Sequence, residues 1–418
     1  MKVKIYRGTK EIGGTCVEIT ADNGKILWID LGAPLSTTNP DTSYRSNKVD
    51  ALLISHSHQD HFGLMESVGS EVPVYIGQVS KDLIKATKRF LGADAPKCNF
   101  QRLKPWEWND IAGKTFMVYP YLVDHSSPEA FAFLIQCDHK KVFYSGDFRS
   151  TGRKGFLYDR MIAKPPKEVD LLLIEGTMIE RGNPEFIDED AVEQKITEIV
   201  ANQQNSTFIV SSAQNIDRFC SVFNACRKAH KMLIIDVYMA FVLEMVKKLS
   251  PNLPTIDAYN VLVYNPKSQM EKIKEEEFED FVTSINENKA HNGIFVKPEK
   301  FVYFVRCPNE HLIQEILKKN HNTINLIYSQ WKGYLEEEHK TYCTPIIKRL
   351  RAQDGISLTY AHTSGHAPVE ELIELAGAIR PEKIVPIHTE NPVKMKKAFN
   401  TSGFTNVELW NDGKEYSL

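Results

Sequence analysis

The chain has 418 residues, of which 42% are hydrophobic and 25% charged, which is typical of a folded globular protein and argues against extended disorder. Its 51 Lys and Arg and 54 Asp and Glu give a net charge of −3, which excludes nucleic-acid binding through overall positive charge but not through a local basic groove. No apolar run approaches the roughly 18 residues of a membrane span, and the first residues do not resemble a secretion signal. We therefore predict a cytoplasmic protein that does not contact a membrane.

The first 182 residues are mostly β in pattern. A run of four apolar residues at 171–174 is typical of a strand that is buried on both faces. A helix is predicted at residues 80–91. Alternating or apolar runs between turn signals predict strands at residues 2–6, 16–20, 25–30, 51–55, 72–76, 115–121, 130–137, 141–145 and 171–174.

Strands and helices alternate between residues 183 and 345, and this alternation indicates a parallel α/β unit. The predicted strands are residues 208–212, 232–237, 301–305 and 324–328. The predicted helices are residues 189–201, 216–229 and 310–319, with a charged amphipathic helix within 267–288.

From about residue 346 the pattern returns to short elements, with strands at 356–360, 383–387 and 408–410 and a helix at 370–376. The simplest arrangement is a β-rich domain made of residues 1–182 and 346–418, with an α/β domain inserted at 183–345. Seven Cys are scattered along the chain without a CxxC pair. This distribution predicts reduced, buried thiols in a reducing compartment and no zinc–thiolate site.

The strongest chemical signal is the sequence Ser-His-Ser-His-Gln-Asp-His at residues 55–61. It places three imidazoles and one carboxylate on a loop directly after an apolar strand, where alternating side chains can turn toward one point. Imidazole and carboxylate suit zinc or manganese. His56 and His58 can serve one metal, while Asp60 and His61 serve a second.

Two metals need more ligands than this loop supplies. His125, Asp147 and His388 each follow a predicted strand, so each is a candidate for the missing positions. Any one of them alone is more often a hydrogen-bonded loop residue than a ligand. The loop at residues 55–61 makes ligation the favoured interpretation for all three.

These residues resemble the signature of the metallo-β-lactamase-fold hydrolases. Residues 56–61 are similar to the family's HxHxDH motif, and residues 28–32 are similar to its first motif. The resemblance implies an αββα sandwich with a dinuclear site, and Asp30 as a residue that orients the His loop. It implies that one metal takes His56, His58 and His125, the other takes Asp60, His61 and His388, and Asp147 bridges both.

In addition, 240 residues separate Asp147 from His388, which is far more than a small hydrolase of this fold needs. An insertion there resembles the β-CASP nucleases, similar to bacterial ribonuclease J, in which an extra domain holds a nucleic-acid strand. Glu175, His366 and His388 are similar to three motifs of that group, and a His at the third is typical of RNA-directed members. Residues 211–218 are similar to a segment of ribonuclease J.

The resemblance implies a zinc-dependent ribonuclease that cleaves single-stranded RNA with a water activated by two metals, leaving 5′-phosphate ends. Two zinc ions per chain are expected, with manganese as the alternative. His366 would protonate the leaving oxygen, and Glu175 would hold the imidazole of His366 in place. The expected catalytic residues are Asp60, Asp147, Glu175 and His366; the expected substrate-binding residues are Ser364, Gly365, His366 and Arg218; and His362 is expected to support the site.

Three other functions stay open at this point. The first is a DNA-directed β-CASP nuclease, against which His388 argues. The second is a metallo-hydrolase of a small ester, lactone or phosphodiester, against which the large insertion argues. The third is an inactive scaffold in an RNA-processing complex, although such proteins typically lose ligands and all seven candidates are present here. The chain ends without the C-terminal domain that supports oligomerisation in ribonuclease J, so no oligomeric state is predicted.

Overall fold

The structure is a computed structural model. It describes residues 1–35, 42–46, 48–182, 185–201, 204–264, 266–273, 278–290, 297–320, 323–337 and 339–418. The chain forms two compact units: the first contains Met1–Lys85, Ala95–Asn183 and Gly365–Leu418, and the second contains Ala86–Asp94 and Pro184–Ser364. Within these described ranges, no helix is both long and apolar enough to cross a membrane.

Nineteen strands are present in the described residues. They are β1 Lys2–Arg7, β2 Cys16–Thr20, β3 Ile26–Ile29, β4 Ala51–Leu53, β5 Pro73–Ile76, β6 Asn99–Arg102, β7 Asn109–Ile111, β8 Phe116–Val123, β9 Ala130–Cys137, β10 Lys140–Tyr144, β11 Leu171–Glu175, β12 Ser206–Val210, β13 Met232–Asp236, β14 Val261–Tyr264, β15 Phe301–Val305, β16 Ile324–Tyr328, β17 Ile356–Tyr360, β18 Lys383–Ile387 and β19 Glu415–Ser417.

Twelve α-helices accompany these strands in the same described ranges. They are α1 Gln59–Phe62, α2 Gln78–Leu91, α3 Phe156–Ala163, α4 Glu189–Val200, α5 Ile216–Lys228, α6 Val237–Val246, α7 Lys267–Met270, α8 Glu279–Glu287, α9 Glu310–Asn320, α10 Thr344–Arg351, α11 Val369–Ile379 and α12 Pro392–Thr401.

The first unit is a four-layer αββα sandwich, as the sequence predicts. Its two sheets have the strand orders β19-β1-β2-β3-β4-β5-β6 and β18-β11-β10-β9-β8-β7. Apolar side chains of both sheets, such as Ile5 and Phe131, pack in one core between them. The outer face of the second sheet is covered by α3, α11 and α12, which contribute Tyr158, Leu372 and Phe399 to a separate core.

The second unit contains a six-stranded sheet in which every neighbouring pair of strands is parallel, with the order β14-β13-β15-β12-β16-β17. Strand β12 is buried along its whole length, as expected for a central parallel strand with helices on both faces. Ile313 of α9 and Ile347 of α10 pack against Phe208 and Tyr303 of this sheet.

The end of the insertion differs from the sequence prediction. The structure assigns residues 346–364 to the second unit, because β17 pairs in parallel with β16. The predicted strand at residues 408–410 is also wrong, since these residues form no strand and only the preceding Val407 makes an isolated bridge, to Ile384. Helix α6 was not predicted, because the apolar run that begins in β13 continues through it, interrupted only by Asp236 and Glu244.

The prediction of reduced thiols is wrong for Cys307 and Cys343, which form a disulfide. Cys307 follows β15 and Cys343 precedes α10, and their Cα atoms are 5.5 Å apart. Cys16, Cys137 and Cys226 are buried free thiols, as predicted, whereas Cys98 and Cys220 are only partly buried. The bond therefore links two elements of the second unit that lie 36 residues apart in sequence.

A buried ion pair stabilises the second unit. The guanidinium of Arg218 donates two hydrogen bonds to the carboxylate of Glu189, at 3.0 and 2.9 Å, and a third to the carbonyl oxygen of Ser329. Neither charged side chain is more than 2% exposed. Removing one partner of such a pair leaves the other charge buried without compensation.

We expect Arg218→Ala to lower the free energy of unfolding by about 3–5 kcal/mol. The measurement is chemical denaturation followed by circular dichroism. The matched control is Arg349→Ala, because Arg349 also makes two hydrogen bonds to a carboxylate, that of Glu310, but on the surface. This control should change stability little. Equal effects of the two substitutions would contradict a structural role for the Arg218 pair.

Candidate active site

The candidate ligands follow the carboxyl ends of strands. In the second sheet β10, β11 and β18 are mutually parallel, and β8 runs in the same direction because it is antiparallel to β9, which is antiparallel to β10. His125, Asp147 and His388 follow β8, β10 and β18, so they emerge at one edge of this sheet. In the first sheet, the loop that carries His56 follows β4, which is parallel to β3.

Asp30, directly after β3, holds the His loop in place. Its carboxylate is fully buried and accepts hydrogen bonds from the backbone and hydroxyl of Ser55 at 2.7 and 2.8 Å. It also accepts from Nδ1 of His61 at 2.8 Å and from the hydroxyl of Tyr144 at 2.6 Å. The Ser55 hydroxyl in turn contacts Nδ1 of His56 at 3.0 Å. These contacts leave Nε2 of both imidazoles free to face a metal.

Two glycines allow close backbone approaches around these ligands. A Cβ atom on Gly32 would lie 1.7 Å from the carbonyl oxygen of Asp60, and one on Gly146 would lie 2.4 Å from that of Phe131. Gly146 also has a φ of +54°. A larger residue at either position would displace the adjoining ligand loop.

Three imidazole nitrogens converge on one point. Nδ1 of His58 lies 3.1 Å from Nε2 of His56 and 3.1 Å from Nε2 of His125. Nδ1 of His125 donates a hydrogen bond to the carbonyl oxygen of Gly365 at 2.5 Å, which points Nε2 toward the other two rings. The arrangement matches the three-nitrogen face of a tetrahedral metal site.

A second group lies beside the first. Nε2 of His388 is 3.3 Å from a carboxylate oxygen of Asp60, and Nε2 of His61 is 3.8 Å from the same oxygen. Oδ2 of Asp147 lies 3.1 Å from Nε2 of His61 and 3.7 Å from Nε2 of His56, while Oδ1 lies 3.6 Å from the His388 ring. Asp147 therefore contacts both groups of ligands.

The electrostatics of these residues suit a cation. Burial lowers the pKa of His58 to about 4 and, together with neighbouring imidazoles, lowers the pKa values of His56 and His125 well below their usual range. These rings therefore present neutral nitrogen lone pairs. Burial opposes the charged form of His61, but three nearby carboxylates outweigh it and raise its pKa. Nε2 of His61 is buried and faces the carboxylate of Asp147 at 3.1 Å, as expected of two ligand atoms that share one ion.

His366 and Glu175 form a pair next to Asp147. Nδ1 of His366 lies 2.9 Å from a carboxylate oxygen of Glu175 and 3.8 Å from one of Asp147. The other oxygen of Glu175 accepts a hydrogen bond from the backbone of Phe148, which fixes the carboxylate. Burial lowers the pKa of His366, but the two carboxylates more than offset this effect and raise it. The geometry favours an imidazolium held at Nδ1.

Two family models match the chain. One, described as a beta-lactamase superfamily domain, matches residues 28–210, and the other, described as a Zn-dependent metallo-hydrolase RNA specificity domain, matches residues 358–400. Together the two segments contain all seven candidate ligands.

Named relatives extend over most of the chain. It is 25% identical over 92% of its length to a probable ribonuclease of Methanocaldococcus jannaschii, and the match covers 92% of that protein. It is 23% identical over 93% of its length to a ribonuclease J of Mycoplasma pneumoniae, and 22% identical over 94% to a ribonuclease J2 of Bacillus subtilis, covering 68% and 69% of those proteins.

The matched domains and relatives make the chain similar to ribonuclease J of the β-CASP group of metallo-β-lactamase-fold proteins. A solved protein of unknown function from Enterococcus faecalis shares the fold, with a TM-score of 0.74 and 19% identity over 100% of this chain and 99% of that one. The family makes this β-CASP protein a metal-dependent hydrolase, and its second unit is the β-CASP insertion.

The structure adds residues to the site of this β-CASP protein that the sequence analysis missed. The hydroxyl of Thr177 lies 2.9 Å from Nδ1 of His388 and orients that ring. Ser55 and Tyr144 bind Asp30, as described above. Their residue types are common everywhere in proteins, and only the position of Thr177 two residues after Glu175 could have suggested its role. His388 and Asp30 also have positive φ angles, of +49° and +59°, at the points where their chains leave the sheets.

Of the other predicted residues, Arg218, His362 and Ser364 lie in the β-CASP unit. The Nδ1 atom of His362 is 3.3 Å from the carbonyl oxygen of Ser329 and 3.3 Å from the guanidinium of Arg218. Arg218 is fully buried, so it has a structural role, and direct contact with RNA would require the unit to open around it. Ser364 is the last residue of this unit, while Gly365 and His366 belong to the first unit.

Proposed function

We propose that the protein is a zinc-dependent ribonuclease that hydrolyses phosphodiester bonds of single-stranded RNA and leaves 5′-phosphate ends. The observation that carries this proposal is the contact of Asp147 with two groups of nitrogen and oxygen ligands, with the pair of His366 and Glu175 beside them. A dimetal centre and an acid are the two parts that phosphodiester hydrolysis requires.

The donor set fits two divalent ions. One would be held by His56, His58 and His125, the other by Asp60, His61 and His388, and Asp147 would join them. Each group contains ligand atoms that lie within 4.8 Å of one another. Bound ions at these positions would supply an activated water and neutralise charge on the phosphate. Nitrogen and oxygen donors without thiolate favour zinc, with manganese as the alternative.

The protein's own residues complete the reaction. Glu175 keeps a proton on Nδ1 of His366, which leaves the opposite nitrogen, Nε2, to carry the proton that the departing sugar oxygen needs. The buried carboxylate of Asp147 favours the charged imidazolium of His366 from a second direction. Thr177 and Asp30 fix the orientations of His388 and His61, so the reacting groups are ordered before substrate binds.

RNA is the favoured substrate on two grounds. The relatives that cover most of the chain carry the name ribonuclease, and the model described as an RNA specificity domain spans both His366 and His388. The reaction itself does not need the 2′-hydroxyl, so a preference for RNA must come from binding.

The test is cleavage of labelled single-stranded RNA and DNA of one sequence by the full chain. We expect RNA to be cleaved faster, 5′-phosphates on the products, complete loss of activity with a chelator, and recovery with zinc or manganese. Preferential cleavage of DNA would identify a DNA-directed nuclease instead. Hydrolysis of a small ester without cleavage of either strand would identify a small-molecule hydrolase.

A further inference from the structure

The β-CASP unit contains a cavity of about 290 Å³ that none of the ligands described above lines. It is formed by the last residues of β13, residues 234–236, and by residues 303–307 at the end of β15. Tyr264 at the end of β14, Gln269 of α7 and Tyr342 complete the wall. All of these residues belong to the second unit.

The cavity lies at a special point of the sheet topology. Phe304 of β15 packs on Phe219 of α5, with ring centroids 5.7 Å apart, whereas the adjacent Tyr303 packs with Ile313 of α9. Successive residues of a strand face opposite sides, so the helices that follow β12 and β15 cover opposite faces of the sheet.

From β13 the chain proceeds to β14 at the sheet edge, and from β15 it proceeds toward β16 in the other direction. The two connections diverge and leave a crevice at the carboxyl ends of β13 and β15. Parallel α/β sheets bind ligands at such crevices.

Arg306, on one wall of the cavity, is a cation with a hydrogen-bond donor that is unpaired among the described residues. Arg306 donates a hydrogen bond to the carboxylate of Asp236 at 3.1 Å, and its guanidinium lies over the ring of Tyr238 at 4.6 Å. That carboxylate also accepts from Gln269 and from the backbone of Met239, so its charge is well compensated. The Nε atom of Arg306 is buried and has no hydrogen-bond partner within the described part of the chain.

The hydroxyl of Tyr303 is a second buried polar group that lacks a hydrogen-bond partner among the described residues. Tyr303 lines the cavity and is only 2% exposed. Leaving a buried hydroxyl unpaired is unfavourable, so a polar ligand in the cavity that pairs with it would be stabilised. At the rim, Tyr264 and Tyr342 are 43% and 72% exposed and offer flat aromatic faces.

We propose that this cavity binds a nucleoside monophosphate, either free or as one residue of an RNA strand. The exposed tyrosines would stack on the base, and Arg306 and the Tyr303 hydroxyl would bind its polar groups and phosphate. The volume is near the lower end of the roughly 300–1,000 Å³ that small-molecule pockets have, which suits one nucleotide. The inference does not depend on the nuclease activity.

The experiment is photolabelling of the full metal-loaded chain with 8-azidoadenosine 5′-monophosphate, followed by mass spectrometry of the peptides. We expect saturable labelling of the peptides that contain Tyr264 or Tyr342. Tyr303→Phe keeps the ring and removes only the hydroxyl, and it should raise the half-saturating concentration about five- to tenfold. Arg306→Gln should do the same, while the control Arg349→Ala should have no effect.

Competition separates the two sources of the nucleotide. Suppression of labelling by AMP at low concentration identifies a free nucleotide, and suppression only by a short oligonucleotide identifies an RNA strand. Labelling confined to peptides of the metal-ligand loops, labelling that does not saturate, or labelling unchanged by Tyr303→Phe in a correctly folded variant would overturn the proposal. Cleavage assays on the same samples report on the nuclease proposal separately.

Discussion

His366→Ala is expected to slow RNA cleavage by about 100- to 10,000-fold, or roughly 3–5 kcal/mol of activation free energy, while metal content stays unchanged. His366 is paired with Glu175. It also clusters with Asp147, Glu175 and His388, but neither of the two groups of three ligands described above includes it. Its absence should therefore remove the acid and leave the metals in place. The measurements are single-turnover cleavage of labelled RNA and elemental analysis. His311→Ala, at an exposed position of α9, is the control and should retain full activity.

A second substrate tests the assigned role more closely. A nitrophenyl phosphodiester has a leaving group that needs no proton, so its hydrolysis should be affected much less by His366→Ala than that of RNA. If the variant loses metal, or if both substrates slow equally, His366 is a ligand or a positioning residue. His362 would then be the next candidate for the acid.

Asp147→Ala should abolish activity, with a loss of more than about 1,000-fold, and should lower the occupancy of both metals together. The reason is that Asp147 contacts His56 and His61 through one oxygen and His388 through the other. Loss of a ligand that served one ion would empty only one position. Metal-to-chain ratios and cleavage rates are measured on the same preparations.

The control for this prediction is Asp159→Ala, because Asp159 is an exposed carboxylate on α3 of the same unit. It should change neither metal content nor rate. Survival of both metals and of cleavage in the Asp147 variant would refute the bridging role.

Much of the fold could be predicted from local patterns, because many strands of this chain are short apolar runs between turn signals, whereas polar strands such as β6 and β19 were not predicted. β2, β9, β15, β16, β17 and β18 begin and end at the predicted residues. The sheet to which a strand belongs is not a local property, however. β17 has the same pattern whether it pairs with the sandwich or with β16, and the prediction placed it in the wrong unit.

Helix α6 shows a second limit. Residues 232–246 are almost continuously apolar. In such a run, hydrophobic periodicity cannot show where a buried strand ends and a buried helix begins. Asp236 marks the boundary, since its side chain caps α6 by accepting a hydrogen bond from the backbone of Met239 at 2.8 Å. The disulfide between Cys307 and Cys343 depends on the tertiary fold, and no sequence motif predicts it.

The candidate ligands could be proposed from the sequence because imidazoles and carboxylates at strand ends are rare and chemically distinctive. The structure places the seven residues near one another, and their role as ligands stays a prediction. Asp30 was predicted to orient the His loop, but the residues that orient the candidate ligands through hydroxyl groups could not be predicted. Their contacts are made by side-chain hydroxyls, those of Thr177, Ser55 and Tyr144. The hydrogen-bond partner of a hydroxyl cannot be predicted from the sequence.

The ratio of bound metal to chain shows whether the protein holds two metal ions. We predict about two divalent ions per chain, mainly zinc, in protein purified without chelator. His125→Ala and His388→Ala should each reduce this ratio toward one, because they remove ligands from different groups. A preparation that binds no transition metal, or binds one ion that both substitutions remove, would contradict the account.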